Sequence, residues 1–159
     1  MIQRIFIGID TGCASGAIAL IIVNMDGSRQ YDSIRFKDMP LFEIYDKLKA
    51  YRDSADAGMV AILEKVWALP GMNVVAMSGF LKNVGHSEMM LIALGIPFEE
   101  VVPTTWMKHY NMKKTKGETK TVWKKRLREV LSRLIPEFKS CTETADAMLI
   151  AKYCLDKNL

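Results

Sequence analysis

Residues 2–37 hold three strand-like runs, and the links between them are too short to carry a helix. "IQRIFIGID" is rich in Ile and Phe and ends at Asp10, "TGCASG" is a glycine-bearing turn, and "AIALIIVN" is a second apolar run. "MDGS" follows, with the Asp-Gly pair that supplies the positive φ of a tight hairpin; "RQYDSIRFK" then alternates as a third strand does. Strands joined this closely pair antiparallel, because a parallel return needs a crossover of a dozen or more residues. An antiparallel meander therefore opens the fold.

After Pro40 the pattern changes. "LFEIYDKLKAYRD" has apolar residues at helical spacing, and "GMVAILEKV" reads as a fourth strand. Residues 73–94 predict a long helix with Met, Val, Phe and Leu on one face. "IPFEEVV" predicts a fifth strand stopped by Pro103, and "TTWMKHY" a short helix. The basic loop "NMKKTKGE" leads to an amphipathic helix, "TKTVWKKRLREVLSRLI", ended by Pro136, and "TETADAMLIAKYCL" is a last helix. The later strand–helix–strand units require right-handed parallel crossovers. The expected class is α/β, a mixed five-stranded sheet flanked by helices on both faces, with residues 1–159 as one domain.

Charge is unevenly spread. Residues 104–139 contain 11 Lys or Arg against 3 Glu, whereas the rest of the chain has 11 basic and 15 acidic residues. With Trp106, Tyr110 and Trp123 interleaved, this block points to a polyanion partner. Lys108, Lys113, Lys114, Lys116, Lys120 and Lys124 are the candidates for phosphate contacts, which position nucleic acid without reading its sequence. The longest apolar run, residues 17–23, is far too short to span a bilayer, and no membrane partner is expected. Cys13, Cys141 and Cys154 lack zinc spacing and read as reduced thiols of a cytosolic protein; no signal-like segment precedes "IFIGID".

The chemistry lies in the carboxylates. Asp10 ends the first strand and Glu64 the fourth, and in a sheet of this order those strands can be neighbours opening at one edge. Glu143 and Asp146 are three apart, so they would share one face of the last helix. Each has a plainer alternative: Asp10 as a turn cap, Glu64 as a solvated strand end, Glu143 in a capping box with Ser140, and Asp146 at the positive end of the helix. Four carboxylates converging on one spot would repel unless a cation relieved them. Mg²⁺ (or Mn²⁺) suits such oxygen ligands, and two ions about 4 Å apart can activate water and stabilise a leaving oxygen at a phosphodiester.

Four blocks in order, "IGIDTGCASGAIALI", "AILEKV", "GFLKNVGHSEMMLIALGIPFEEVVPTTW" and "ETADAMLIAKY", resemble the RuvC-type Holliday junction resolvases of the ribonuclease H-like superfamily. The resemblance covers nearly the whole chain and is nearer to phage-type members. It implies that Asp10, Glu64, Glu143 and Asp146 are catalytic and bind two metal ions; the family commonly has Asp or His where this chain has Glu143. It implies that Lys120 lies near the active site and that Trp67, Leu69 and Met72 are candidates to wedge a junction, the alternative being side chains folded back on the core. It further implies a homodimer nicking opposed strands of a four-way junction, or other branched DNA, in the cytoplasm of a bacterial cell or phage-infected host. His86 and the methionines Met72, Met77, Met89 and Met90 read as surface, core or dimer packing. The competing readings are a ribonuclease H acting on RNA–DNA hybrids and a non-catalytic branched-DNA-binding module. An actin-like ATPase would need two lobes, which this length does not hold.

Overall fold

The computed structural model describes residues 1–159 apart from 13–15, 66, 68–70 and 72. Among these described residues, five strands and five helices follow in the order β1 Ile2–Asp10, β2 Ala17–Asn24, β3 Arg29–Arg35, α1 Leu41–Ser54, β4 Met59–Glu64, α2 Val74–Ala93, β5 Phe98–Val101, α3 Pro103–His109, α4 Lys120–Leu134 and α5 Ala145–Lys157. The sheet order is β3-β2-β1-β4-β5. The meander pairs antiparallel, and β1 with β4 and β4 with β5 pair parallel. β1 is thus the central strand, with the antiparallel half on one side and the parallel half on the other.

Strand side chains alternate between faces, and the two cores divide accordingly. Ile5, Ile7 and Ile9 of β1 and Met59, Ala61 and Leu63 of β4 pack with Ile44 and Leu48 of α1 and Met90 and Leu91 of α2. Phe6, Val60 and Ile62 point the other way, onto Trp106 of α3, Trp123, Leu127 and Leu131 of α4, and Ala147, Ile150 and Ala151 of α5. Helices cover both faces, as the pattern predicted. No helix of the described residues is long and apolar enough to cross a membrane.

Two expectations are corrected. Trp106 and Trp123 are 1% and 7% exposed, so they are core residues and cannot stack on a polyanion. The last helix starts three residues later than its pattern predicted. The buried Thr144 turns its hydroxyl back to accept the Cys141 N–H at 3.2 Å, and the helix begins only at Ala145. The capping box with Ser140 is therefore not formed. Glu143 sits in the preceding turn and does not share a helical face with Asp146.

What seats α5 is a glycine. Gly8 lies on β1 directly under the helix, and a Cβ there would sit 2.2 Å from both the Ala147 carbonyl oxygen and the Ala151 nitrogen. Both obstacles are backbone, so no rotamer change relieves them. Gly8→Ala is expected to push α5 off the sheet and to destabilise the chain by about 3 kcal/mol, the upper range for overpacking. Urea denaturation of the variant measures this; an unchanged midpoint would show that α5 is not so tightly seated.

Candidate functional site

Asp10 and Glu64 are the last residues of β1 and β4, parallel neighbours whose register sets Ile9 against Leu63. Ile9 and Leu63 face the α1–α2 side, so the next residues, Asp10 and Glu64, face α3, α4 and α5. From that side α5 brings Asp146, in its first turn, next to Ala147, which lies over Gly8. Three carboxylates thus gather at the C-terminal edge of the parallel pair, where α/β sheets characteristically carry their sites.

Asp10 is 6% exposed, and its Oδ1 accepts the Gly12 N–H at 2.9 Å. The turn-cap reading of Asp10 is realised together with its place in the cluster. Burial, and then the nearby Asp146 charge, raise its pKa from 3.8 to about 6 against the opposing Gly12 hydrogen bond. Glu64 is pushed further, from 4.5 to about 8, first by burial and then by Asp10; its Oε1 accepts the Trp106 indole N–H at 3.0 Å, which opposes the rise. Both shifts say that negative charge here lacks sufficient compensation.

Among the described residues, a cation lies within the cluster. Lys124 of α4 pairs with Asp146 Oδ2, both side chains largely buried. Burial opposes the Lys124 charge, yet the pull of Asp146, with Asp10 and Glu64 behind it, holds its pKa above the ordinary value. The other oxygen of Asp146, Oδ1, is buried with no hydrogen-bond partner among the described residues. Those residues hold no ready-made cluster of three metal-ligating side chains. The donor set nonetheless suits a hard divalent cation: oxygens only, one of them orphaned, under a surplus of negative charge.

The fourth candidate, Glu143, is oriented elsewhere. Its carboxylate accepts from Lys37 Nζ at 2.8 Å and lies 3.6 Å from Arg35 Nη1. The Lys37 hydrogen bond foremost holds its pKa well below the usual carboxylate range. Glu143 still borders the hollow that Lys120 and Lys124 line, so it stands at the rim of the site rather than inside it.

The remaining predicted residues are scattered. Lys120 is exposed at the N-terminus of α4, close enough for its charge to lower the Asp10 pKa. Lys108, Lys113, Lys114 and Lys116 are exposed on α3 and the loop after it. Lys124 is not a free phosphate contact, being engaged by Asp146. Trp67 is 58% exposed, and Leu69 and Met72 lie outside the described residues. His86 is half-buried, with Nδ1 unpartnered among the described residues. Sequence reasoning missed Trp106 as the residue that orients Glu64, although its place just after the strand-ending Pro103 was a signal. It also missed Arg35 and Lys37, for which no signal existed more than a hundred residues from their partner.

Solved structures share this arrangement of elements. RuvC from T. thermophilus in complex with Holliday junction substrate matches with a TM-score of 0.58 at 14% identity, covering 92% of this chain and 90% of that one. A second Thermus thermophilus RuvC structure matches with a TM-score of 0.50 at 16% identity over the same shares of the two chains. The chain therefore shares the fold of these RuvC structures, a mixed five-stranded sheet flanked by helices. No family model and no curated protein matches the sequence.

The raised carboxylates make a pH prediction. A folded pKa above the unfolded value means that the native state holds the proton more tightly. The stability this brings is present at low pH and lost as pH climbs through the folded value. For Glu64 the window runs from about 4.5 to about 8. In EDTA, Glu64→Gln should melt increasingly above the unmodified protein as pH rises from 5 to 8. A melting difference that stays flat across this range would mean that Glu64 is not crowded as described.

Proposed function

We propose that this chain is a metal-dependent endodeoxyribonuclease that cuts branched DNA, four-way junctions foremost, by paired nicks from a homodimer. The observation that carries the reading is the gathering of Asp10, Glu64 and Asp146 beside a basic helix, on a fold shared with a RuvC solved with Holliday junction substrate. Carboxylates at a phosphate-binding surface are unfavourable by themselves. They make sense where divalent ions stand between them and the substrate.

In this reading Asp10, Glu64 and Asp146 hold two Mg²⁺ or Mn²⁺ ions, and Glu143 contributes from the rim. Divalent ions held there would supply activation of the attacking water and charge compensation at the leaving oxygen. Asp10 and Glu64 are fixed at strand ends and Glu64 is further held by Trp106, which keeps these ligands rigid. Lys124, paired with Asp146, offsets part of the cluster's negative charge. Lys108, Lys113, Lys114, Lys116 and Lys120 draw in the DNA backbone through long-range attraction and counterion release. Trp67, exposed and three residues after Glu64, would in this reading stack on a base at the branch point.

Support for the dimer comes from α2. Val74, Val75, Leu81, Met89 and Ile92 are 51–81% exposed on it, more apolar surface than a solvated helix carries. Met90, by contrast, is buried against the sheet and is no part of that surface.

The decisive experiment is a panel of four-way junction, flap, plain duplex and RNA–DNA hybrid, each with Mg²⁺, Mn²⁺ or EDTA. Metal-dependent nicking of the junction is expected; cutting confined to the RNA of the hybrid would overturn the proposal in favour of a ribonuclease H. Asp146→Asn should slow nicking roughly a thousandfold, the scale of several kcal/mol of transition-state stabilisation, while junction affinity holds. Sedimentation at micromolar concentration should give a dimer, and Leu81→Lys with Met89→Lys a monomer. A monomeric parent chain removes the paired-nick mechanism.

A further inference from the structure

The basic residues of α4 are not equivalent. Trp123, Leu127 and Leu131, four residues apart, turn one face of this helix into the core. Arg126 is spent on structure: it meets both Glu118 oxygens at 2.8 and 2.9 Å and lies over the Trp123 ring at 5.3 Å. Arg128 and Arg133 are exposed, and among the described residues neither has a carboxylate within 4 Å. Lys125 reaches only Glu129, at 4.0 Å.

These cations line two adjoining hollows that make a trough along α4. One hollow of about 530 Å³ is bordered by Lys120, Lys124, Lys125, Arg128 and Glu143; a second of about 690 Å³ by Lys125, Arg128, Glu129, Ser132 and Arg133. Lys125 and Arg128 are common to both. The trough begins at Lys124, which touches Asp146, and follows α4 away from the carboxylates. At 1.5 Å per residue, Lys124 to Arg133 spans roughly 13 Å, the axial advance of about four nucleotides in one strand of a duplex. Of the two acidic borders, Glu143 is already held by Lys37 and Arg35, and Glu129 offsets only Lys125.

We propose that this trough seats the backbone of the duplex arm flanking the cut, with Arg128 and Arg133 holding successive phosphates on the side away from the carboxylates. The guanidinium suits this task, because its planar fork meets two phosphate oxygens at once. Contacts of this kind go to the phosphates, so the arm would be held whatever its sequence. The inference rests on the nuclease reading and adds to it a direction: one arm runs along α4, and the branch point lies at the other end of the trough.

The test compares Arg128→Ala/Arg133→Ala with Lys49→Ala/Arg52→Ala, which removes the same charge from α1 on the opposite face of the sheet. Junction affinity is measured in Ca²⁺ from 50 to 300 mM salt, with melting temperatures confirming that both variants fold. The trough variant should flatten the slope of log affinity against log salt by about two, and the α1 variant should not. Trimming the junction arms below about six base pairs should weaken the parent chain and leave the trough variant indifferent. An unaltered slope in the folded trough variant, or an equal loss in the α1 variant, overturns this inference and leaves the nuclease reading standing. A parent chain that binds no branched DNA removes both.

Discussion

The contact between α5 and β1 is made backbone to strand, with no side chain between them at residue 8. Everything at the site follows from that approach. Ala147 and Ala151 are small enough to let the helix settle, and the missing Cβ of Gly8 removes the last obstruction. Asp146, one residue before Ala147, is thereby carried to the edge where β1 and β4 end. A larger residue at 8 would not merely cost packing energy. It would separate the carboxylate on the helix from the carboxylates on the strands.

That geometry brings an electrostatic strain that the rest of the site answers. Asp10 and Glu64 are placed where water is scarce and where each feels another negative charge, which is why both hold their protons so tightly. Lys124 answers part of the imbalance through Asp146, and the Trp106 indole answers part through Glu64. Glu143 is kept out of the crowd by two cations on the segment around the end of β3. The arrangement is a balance between crowded carboxylates and the largely buried Lys124 ammonium. Asp10 and Glu64 are held there by the ends of β1 and β4, and Asp146 by the first turn of α5.

The basic third of the chain shows how a charge block divides once folded. Arg126 clamps the loop before α4 through Glu118 and closes over Trp123, while Lys124 turns into the carboxylates. The remaining lysines and arginines keep their charge toward solvent. Composition counts all of them alike, yet only the last group is free to attract a polyanion.

The sequence by itself determined the local features: the meander, the strand ends at Asp10 and Glu64, the parallel half of the sheet, and the lopsided charge. Each depends on neighbours within a few residues, on a period of two or 3.6, or on turn chemistry, all of which are written locally. Even the close approach at Gly8 sits within a stretch whose glycines were visible. What only the tertiary structure decided were the pairings across the chain. Trp106 and Trp123 are aromatic in a basic block, and sequence cannot say that they point inward. Glu143 lies three residues before Asp146, yet Thr144 capping back on Cys141 keeps it off the helix and Lys37 draws its carboxylate away. Met90 and Met89 are adjacent and chemically identical, and only the docking of α2 on the sheet buries one and exposes the other. A side chain's partner is set by which distant segment the packed core brings beside it, and that is a property of the whole fold rather than of any stretch of it.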